Sequence, residues 1–173
     1  MKSSEKITLR PATIDDLPTL LLWDQQQHVI DSDPHDDWNW EIELTRHVPW
    51  REQLIAEVIN RPIGFIQIID PHEEETHYWG IIQPHLRAID IWIGLEEDLG
   101  KGYGTTMMQL ALERCFADSR VQAVVIDPLA SNQRAIRFYE RNGFYFVENR
   151  TFGEDECSVY RIDRDTWFKI KMK

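Results

Sequence analysis

Two aspartates occupy positions where a carboxylate could act on an amine. Asp90 lies inside the alternating stretch RAIDIWIG, and Asp127 ends the apolar stretch VQAVVID just before Pro128. Aspartate is disfavoured in strand interiors, so Asp90 is a candidate general base; a residue on a half-exposed strand face is the alternative. Asp127 is a second candidate for the base, and its alternative role is that of a turn residue before Pro128. We predict that these carboxylates hold a protonated amine and remove its proton.

A second candidate site is the glycine-rich stretch LGKGYG, which runs from Leu99 to Gly104. Its glycines leave the intervening amides unshielded, and the apolar residues that follow recur at helical spacing. We therefore predict a helix that begins at or just after Gly104. The first N–H groups of that helix lack internal partners, so turn and helix suit a phosphate or pyrophosphate, with a plain structural turn as the alternative. The spacing matches neither the Walker loop nor the dinucleotide fingerprint.

Composition limits the classes of protein that this chain can be. It has 173 residues, of which 42% are hydrophobic, as expected for one domain spanning 1–173. Its 30 acidic against 19 basic residues give a net charge of -11, which disfavours nucleic acid and anionic membranes and favours a cationic partner, or serves only solubility.

Other sequence signals are mostly negative. Two distant cysteines and the lack of a signal peptide or membrane-length apolar run favour a cytoplasmic protein. A monomer or a homodimer is expected, and these signals do not separate the two. The acidic stretch DSDPHDD lacks the glycine and glutamate of a calcium loop, and the histidines show no zinc spacing, so we predict no metal site.

The elements that position these groups are predicted from periodicity. The predicted strands are ITLRPA, REQLIAEVI, IGFIQIID, RAIDIWIG, VQAVVID, FYFVEN and CSVYRID. Helices are predicted over 13–27, capped by Thr13 or Asp15, over the stretch after Gly104, and over SNQRAIRFYERNGF, capped by Ser131 or Asn132; residues 31–50 and 71–84 are predicted to be irregular. The expected fold is α/β (α+β): a mixed, mostly antiparallel sheet with a central parallel pair and helices on both faces.

Two motifs carry a resemblance to a known family. LGKGYGTTMMQLAL, followed by VVIDPLASNQRAIRFYERNGF, resembles the central motifs of the GNAT superfamily of acyl-CoA-dependent N-acetyltransferases, and within it the aminoglycoside 6'-N-acetyltransferases. The resemblance covers roughly residues 86–147 and extends loosely over the chain, and it implies the GNAT fold. Leu99 stands where the superfamily usually has Gln or Arg, so here backbone amides must carry more of the pyrophosphate contact.

The resemblance implies acetyl-CoA as the donor, an N-acetyltransferase activity and no metal. The pantetheine arm would lie along the strand that carries Asp90, and a tyrosine near the coenzyme sulfur, Tyr139, would be the general acid. Asp90 and Asp127 both match aspartates that the aminoglycoside branch uses at its acceptor site, and either could be the base. Tyr139 could instead be a core aromatic, and Asn132 a simple helix cap. The implied coenzyme-binding residues are Ile91, Trp92, Ile93, Leu99, Gly100, Lys101, Gly102, Tyr103, Gly104, Thr105, Asn132, Ala135 and Tyr139.

The acceptor site is expected to combine carboxylates with flat aromatic side chains, which suits a cationic small-molecule amine such as an aminoglycoside. Its candidate residues are Trp23, Asp33, Trp38, Trp40, Glu75, Trp79, Asp90 and Asp127. Taken singly, each tryptophan is as well explained by core packing. A peptide, metabolite or siderophore amine is the alternative acceptor, a non-catalytic acyl-CoA-binding domain the alternative function, and transfer through a cysteine the alternative mechanism.

Overall fold

The computed structural model describes residues 5–173, which form two compact units. The first unit contains the residues up to Gln67 together with Asp90–Leu110, and the second contains Ile68–Ile89 together with Ala111–Lys173. Seven strands form one sheet in the order β1-β2-β3-β4-β5-β7-β6. The strands are β1 (Ile7–Pro11), β2 (Arg51–Val58), β3 (Arg61–Ile69), β4 (Leu86–Ile93), β5 (Ala123–Ile126), β6 (Tyr145–Phe152) and β7 (Asp155–Asp163).

The predicted mixed sheet with a central parallel pair is confirmed. β4 and β5 run parallel, with Leu86–Ala88 opposite Ala123–Val125. The pairs β1–β2, β5–β7 and β6–β7 are antiparallel. The chain between β4 and β5 contains a long helix, as a crossover between parallel strands requires.

Six α-helices accompany the sheet among the described residues. They are α1 (Leu17–Asp24), α2 (Gln27–Ser32), α3 (Trp40–Glu43), α4 (Tyr103–Phe116), α5 (Gln133–Arg141) and α6 (Arg164–Lys171). Thr13 begins a short 3-10 turn through a capping box with Asp16, and α1 then starts at Leu17, with Pro18 in its first turn. The Asn132 side chain caps α5 by accepting from the Ala135 N–H at 3.1 Å, which confirms one of the two predicted caps.

The structure corrects the bounds of all three predicted helices and adds helices that were not predicted. The single helix predicted over 13–27 is instead a 3-10 turn and α1, with α2 starting at its last residue, and α3 interrupts the stretch predicted to be irregular. The helix expected to end at Gly143 stops at Arg141. The helix α4 begins at Tyr103, because Gly102 with φ +83° already completes the turn. The final helix α6 was not predicted, because its short amphipathic pattern follows a strand without a glycine or proline to mark a start.

The core of the first unit packs around Trp23 and Leu20, which are buried together with Phe65. Gly94, directly after β4, lets the Trp23 ring approach the backbone, since a Cβ at position 94 would lie 2.0 Å from a Trp23 ring atom. The indole therefore fixes the path of the chain as it leaves β4, the strand that carries Asp90.

Candidate active site

Asp90 lies on the middle of β4 and is half-buried. Its Oδ2 accepts a hydrogen bond from Gln67 Nε2 on β3 at 3.0 Å. Burial raises the pKa of Asp90 to about 6; the Gln67 hydrogen bond works in the opposite direction, and the negative charge of Asp36 adds to the rise. A carboxylate whose pKa lies just below neutrality is ionised at pH 7 and still basic enough to take a proton from an amine.

An aromatic wall continues the strand face that carries Asp90. Side chains two residues apart on a strand share a face of the sheet. Trp92 therefore lies on the same face as Asp90 on β4, and Phe65 lies on the same face as Gln67 on β3. The rings of Phe65 and Trp92 are 4.7 Å apart, and Trp38 packs edge-on against Trp92 at 5.1 Å. Trp38 and Trp92 are only partly buried, so this wall offers an apolar surface next to the carboxylate.

Three of the tryptophans predicted to bind the acceptor have little exposed surface. Trp23, Trp40 and Trp79 are 1%, 3% and 3% exposed. Trp40 stacks on Trp38 at 5.1 Å and donates from Nε1 to Asp24 Oδ2 at 2.7 Å, so its polar atom is also engaged. This burial favours the core-packing alternative for these three, whose contact with an acceptor stays a prediction, and Trp38 is the one of the four that is only partly buried.

The glycine-rich turn has the backbone conformation that the sequence indicated. Gly100 and Gly102 have φ +74° and +83°, and a Cβ at either position would meet no heavy atom within 4 Å. The positive φ angles favour glycine, and the space in front of the two residues is open. Because α4 starts at Tyr103, the N–H groups of Tyr103, Gly104 and Thr105 have no acceptor within the helix. This arrangement fits a pyrophosphate at the turn.

A buried ion pair holds the start of this turn. Asp98 is 1% exposed and accepts from both Arg61 Nη atoms, at 2.8 and 3.1 Å. Lys101, a predicted coenzyme residue, also donates to Asp98 at 3.3 Å, so its ammonium group already has a partner within the protein. The hydrogen bonds from Arg61 hold the pKa of Asp98 below its usual value. The same pair ties β3 to the glycine-rich turn.

The remaining predicted coenzyme residues of the first unit are accounted for individually. Ile91 and Ile93 alternate with Trp92 along β4, and the Ile93 carbonyl lies 2.7 Å from His28 Nε2. Leu99 follows a 3-10 turn as its C-cap, and the Tyr103 hydroxyl donates to Glu5 at 3.1 Å. Asp33, predicted for the acceptor site, is the C-cap residue of α2.

In the second unit, Asp127 follows β5 and accepts a 2.6 Å hydrogen bond from the Tyr78 hydroxyl. Tyr78 stacks on Phe152 with ring centres 4.7 Å apart. Arg150 donates to the Trp79 carbonyl at 3.0 Å. These contacts fix the acid-rich loop between β3 and β4 next to Asp127. The loop also contains the predicted acceptor residue Glu75, which is exposed.

Two predicted residues share helix α5. Tyr139 is 7% exposed, and its ring packs against Phe144 at 5.9 Å. Asn132 begins the same helix and is engaged as its cap, with Ala135 as the capped residue. The predicted residues thus form one group in the first unit, around Asp90 and the glycine-rich turn, and one in the second, around Asp127 and α5.

The sequence analysis missed three residues of this site. Gln67, Asp36 and Arg61 act on Asp90 or Asp98 from other parts of the chain. Gln67 gave a signal, since it is a polar residue inside the apolar stretch IGFIQIID. In the part of the chain that the structure covers, no cluster of three or more His, Cys, Asp or Glu side chains is arranged to hold a metal ion. None of the described helices has the length and apolar character of a membrane span.

Comparison with known proteins points to one family. A family model described as an acetyltransferase (GNAT) domain matches residues 13–152. The chain is 30% identical over 156 residues to an aminoglycoside N(6')-acetyltransferase type 1 of Klebsiella pneumoniae, covering 82% of this chain and 75% of the relative.

Solved structures agree with this match. The aminoglycoside acetyltransferase AAC(6')-Ib, in complex with coenzyme A and kanamycin, superposes with a TM-score of 0.85 at 26% identity, covering 96% of this chain and 99% of that one. A spermidine N-acetyltransferase of Vibrio cholerae, solved with coenzyme A and spermine, has a TM-score of 0.73 at 19% identity, covering 94% of this chain and 98% of that one, and so shares the fold.

Proposed function

Because the chain belongs to the GNAT acetyltransferase family and is an acetyl-CoA-dependent N-acetyltransferase, we propose that its acceptor is an aminoglycoside-like polycation, acetylated on a primary amine. One observation carries the proposal: the Asp90 carboxylate lies next to the aromatic wall that Trp92 and Trp38 form, and the negative charge of Asp36 acts on the same carboxylate. Carboxylates beside flat apolar rings suit a sugar that carries ammonium groups. The net charge of -11 also attracts such a cation.

The comparisons support this acceptor class. The Klebsiella pneumoniae relative is named for aminoglycosides, and the structure that superposes with a TM-score of 0.85 was solved with kanamycin. We propose Asp127, held by Tyr78, as a second carboxylate for the acceptor. Glu75 and Asp33 are proposed as further negative charges that attract the acceptor.

The donor is held by the glycine-rich turn in this proposal. The amides of Gly102 to Thr105 would bind the pyrophosphate, and the β4 backbone at Ile91–Ile93 would pair with the pantetheine arm. Acetyl-CoA supplies an activated acetyl thioester. The open space in front of Gly100 and Gly102 is what supports this assignment.

The proposed reaction is a direct transfer. Asp90 takes one proton from the acceptor ammonium, and the neutral nitrogen attacks the thioester carbonyl. The new N–C bond forms, the C–S bond breaks, and the thiolate of coenzyme A takes a proton from the Tyr139 hydroxyl. The acylated nitrogen gives up its surplus proton, which returns to the Tyr139 phenolate, and Asp90 releases its proton to solvent. Cys115 and Cys157 are each 3% exposed, so burial argues against a cysteine as an intermediate acyl carrier.

Two further predictions enter the proposal. A single acetyltransferase domain over 1–173 is supported by the family match, which runs through residues of both units. A reducing compartment such as the cytoplasm is supported by the two buried cysteines, which form no disulfide.

The test is a thiol-release assay with acetyl-CoA and a set of acceptors: kanamycin, spermidine, a lysyl peptide, and an aminoglycoside with a hydroxyl at its 6' position. We expect kcat/KM for kanamycin to exceed that for spermidine and peptide by at least about tenfold, since kanamycin, unlike these two, combines ammonium groups with sugar rings that can pack on the aromatic wall. The 6'-hydroxyl compound is the matched control and should be a poor substrate. Preference for spermidine or the peptide would contradict the proposed acceptor class.

A further inference from the structure

Two glutamine side chains stand in line behind Asp90. Gln67 Nε2 donates to Asp90 Oδ2 at 3.0 Å, and Gln53 Nε2 donates to Gln67 Oε1 at 3.2 Å. Gln53 lies on β2, Gln67 on β3 and Asp90 on β4, which are neighbours in the sheet. All three side chains are half-buried, in strands whose neighbouring residues are largely apolar. This row of side-chain hydrogen bonds therefore links the three strands in addition to the backbone hydrogen bonds of the sheet.

The chemistry of the groups fixes the direction of this row. An ionised carboxylate only accepts, so Gln67 must turn its NH2 group toward Asp90 and its carbonyl oxygen toward Gln53. Gln53 can hold that orientation only by presenting its own NH2 group. An amide that turned over would place its oxygen against the carboxylate, with two acceptors in contact. Gln53 thus opposes the turned-over state of Gln67 without touching Asp90.

We propose that Gln67, kept in its donating orientation by Gln53, is the positioning residue of the base. This inference rests on the proposed role of Asp90. Gln67 binds Oδ2 and so fixes the plane of the carboxylate on β4, which leaves Oδ1 as the oxygen that receives the proton of the acceptor amine. The hydrogen bond also stabilises the ionised form against the desolvation that burial imposes.

The electrostatic surroundings of Asp90 make the effect measurable. The charged group that acts on it is Asp36, from the segment between α2 and α3, and this carboxylate favours the protonated form. Gln67 from β3 favours the ionised form, and Gln53 on β2 is neutral. Loss of the Gln67 hydrogen bond leaves burial and Asp36 unopposed. The apparent pKa of the base should then rise.

The experiment compares pH profiles of kcat/KM for Gln67→Leu and Gln53→Glu with the wild-type enzyme. Gln67→Leu removes the donor, so the acidic limb should move to higher pH and kcat should fall by about tenfold. In Gln53→Glu the new carboxylate attracts the NH2 group of Gln67, which turns the amide oxygen toward Asp90. The limb should move in the same direction, although Asp90 and its direct neighbour are unchanged.

Gln27→Leu is the matched control, because it removes a hydrogen bond of the same kind, from Gln27 Nε2 to Asp31 Oδ1 at 2.7 Å, on the exposed surface of α2. Its pH profile should match the wild type. Acetyl-CoA affinity measured by calorimetry should be unchanged in every variant, which separates the effect from misfolding. If Gln67→Leu does not fold, Gln53→Leu takes its place, because it removes the partner of Gln67 without the new negative charge that would by itself raise the pKa of Asp90. Its acidic limb should also move to higher pH, and an unchanged limb would overturn the positioning role.

Asp90→Asn in the same series separates this inference from the function on which it rests. If Asp90→Asn abolishes the limb but Gln67→Leu and Gln53→Glu keep the wild-type profile, Asp90 is the base and the positioning role is wrong. If Asp90→Asn keeps normal turnover and the same limb, both proposals are overturned. A limb that moves up in both glutamine variants and disappears in Asp90→Asn supports both.

Discussion

Two carboxylates eight residues apart, Asp90 on β4 and Asp98 in the turn that follows, show opposite electrostatic behaviour. Asp98 is the more deeply buried, at 1% exposure, yet its pKa is lowered. Asp90 is only half-buried, and its pKa is raised to about 6. For Asp90, burial is the main cause, opposed only by the hydrogen bond of a neutral amide and reinforced by the negative charge of Asp36. For Asp98, the hydrogen bonds from two cations, Arg61 and Lys101, outweigh burial.

The comparison shows that burial alone does not mark a reactive group. A buried carboxylate that is neutralised by cations is a structural anchor, because the cations hold its pKa below the usual value and favour its ionised form. A carboxylate that is desolvated without a cation keeps its affinity for a proton. In the proposed reaction, the acceptor ammonium supplies the cation that Asp90 lacks. The predictions below test whether these two roles are in fact distinct.

The largest expected effect is the loss of turnover in Asp90→Asn. The amide keeps the size of the side chain but cannot take a proton, so kcat should fall by the roughly 10²- to 10⁴-fold that a general base supplies. Asp98→Asn is the counterpart, and at saturating acetyl-CoA its kcat should stay within a few-fold of wild type. Thiol release under saturating substrates measures both. Equal losses in the two variants would remove the distinction between base and anchor.

The next effect concerns the turn that Asp98 anchors. Gly102→Asp places a side chain and a negative charge in the open space at φ +83°, so acetyl-CoA affinity should fall by at least about tenfold. Gly153→Asp is the matched control, because Gly153 also has a positive φ, of +59°, and open space around its Cβ position. Both variants carry the same backbone strain, but only the first should lose affinity by calorimetry. Equal affinities in the two variants would remove the turn from the coenzyme site.

Stability at pH 7 should decrease in Asp98→Asn. The substitution leaves Arg61 without its buried anion, and since Arg61 is itself 47% exposed, the expected loss is about 1–3 kcal/mol. Because the pKa of Asp98 is lowered in the fold, its contribution exists above the unfolded pKa and disappears as the pH falls. Chemical denaturation should therefore show the variant and the wild type converging below about pH 4. A constant difference at all pH values would indicate a packing effect instead.

The smallest expected effect is a gain of stability in Asp90→Asn, opposite in sign to the loss expected in Asp98→Asn. Asp90 has a raised pKa, so its contribution to stability is complete below the unfolded pKa and is lost as the pH rises through about 6. Asp90→Asn removes that loss and should stabilise the protein by about 1 kcal/mol at pH 8, with no gain at pH 4. Thermal unfolding at the two pH values tests this. A variant that is less stable than wild type at pH 8 would mean that Asp90 serves as an anchor like Asp98.

The sequence predicted the parts of the site that depend on local patterns. Asp90 was identifiable because an aspartate is out of place in an apolar strand, and the glycine-rich turn because glycine spacing encodes its backbone conformation. The Gln67–Asp90 hydrogen bond was not predictable, because it depends on how β3 and β4 pair. The same holds for Arg61 and Asp98, which are 37 residues apart.

The tryptophans show a second limit of prediction from the sequence, which concerns burial. Trp38 and Trp40 belong to one short stretch, WNW, and have the same residue type, but Trp40 is buried and Trp38 keeps an accessible face. No periodicity separates them, because Asn39 between them adopts a left-handed conformation with φ 49°. The sequence therefore predicted the tryptophans as one group, and only the structure separates the buried Trp40 from the partly exposed Trp38.

The pH dependence of kcat/KM with saturating acetyl-CoA and kanamycin as the varied acceptor tests the central claim, that Asp90 is a base poised by its surroundings. The account predicts that wild-type kcat/KM rises with pH through one ionisation near the Asp90 pKa of about 6, because only the ionised carboxylate accepts a proton. Asp90→Asn should lack this limb, while Asp98→Asn should keep it. A wild-type limb near 6 that persists in Asp90→Asn with undiminished turnover would contradict the claim and assign proton removal to another group.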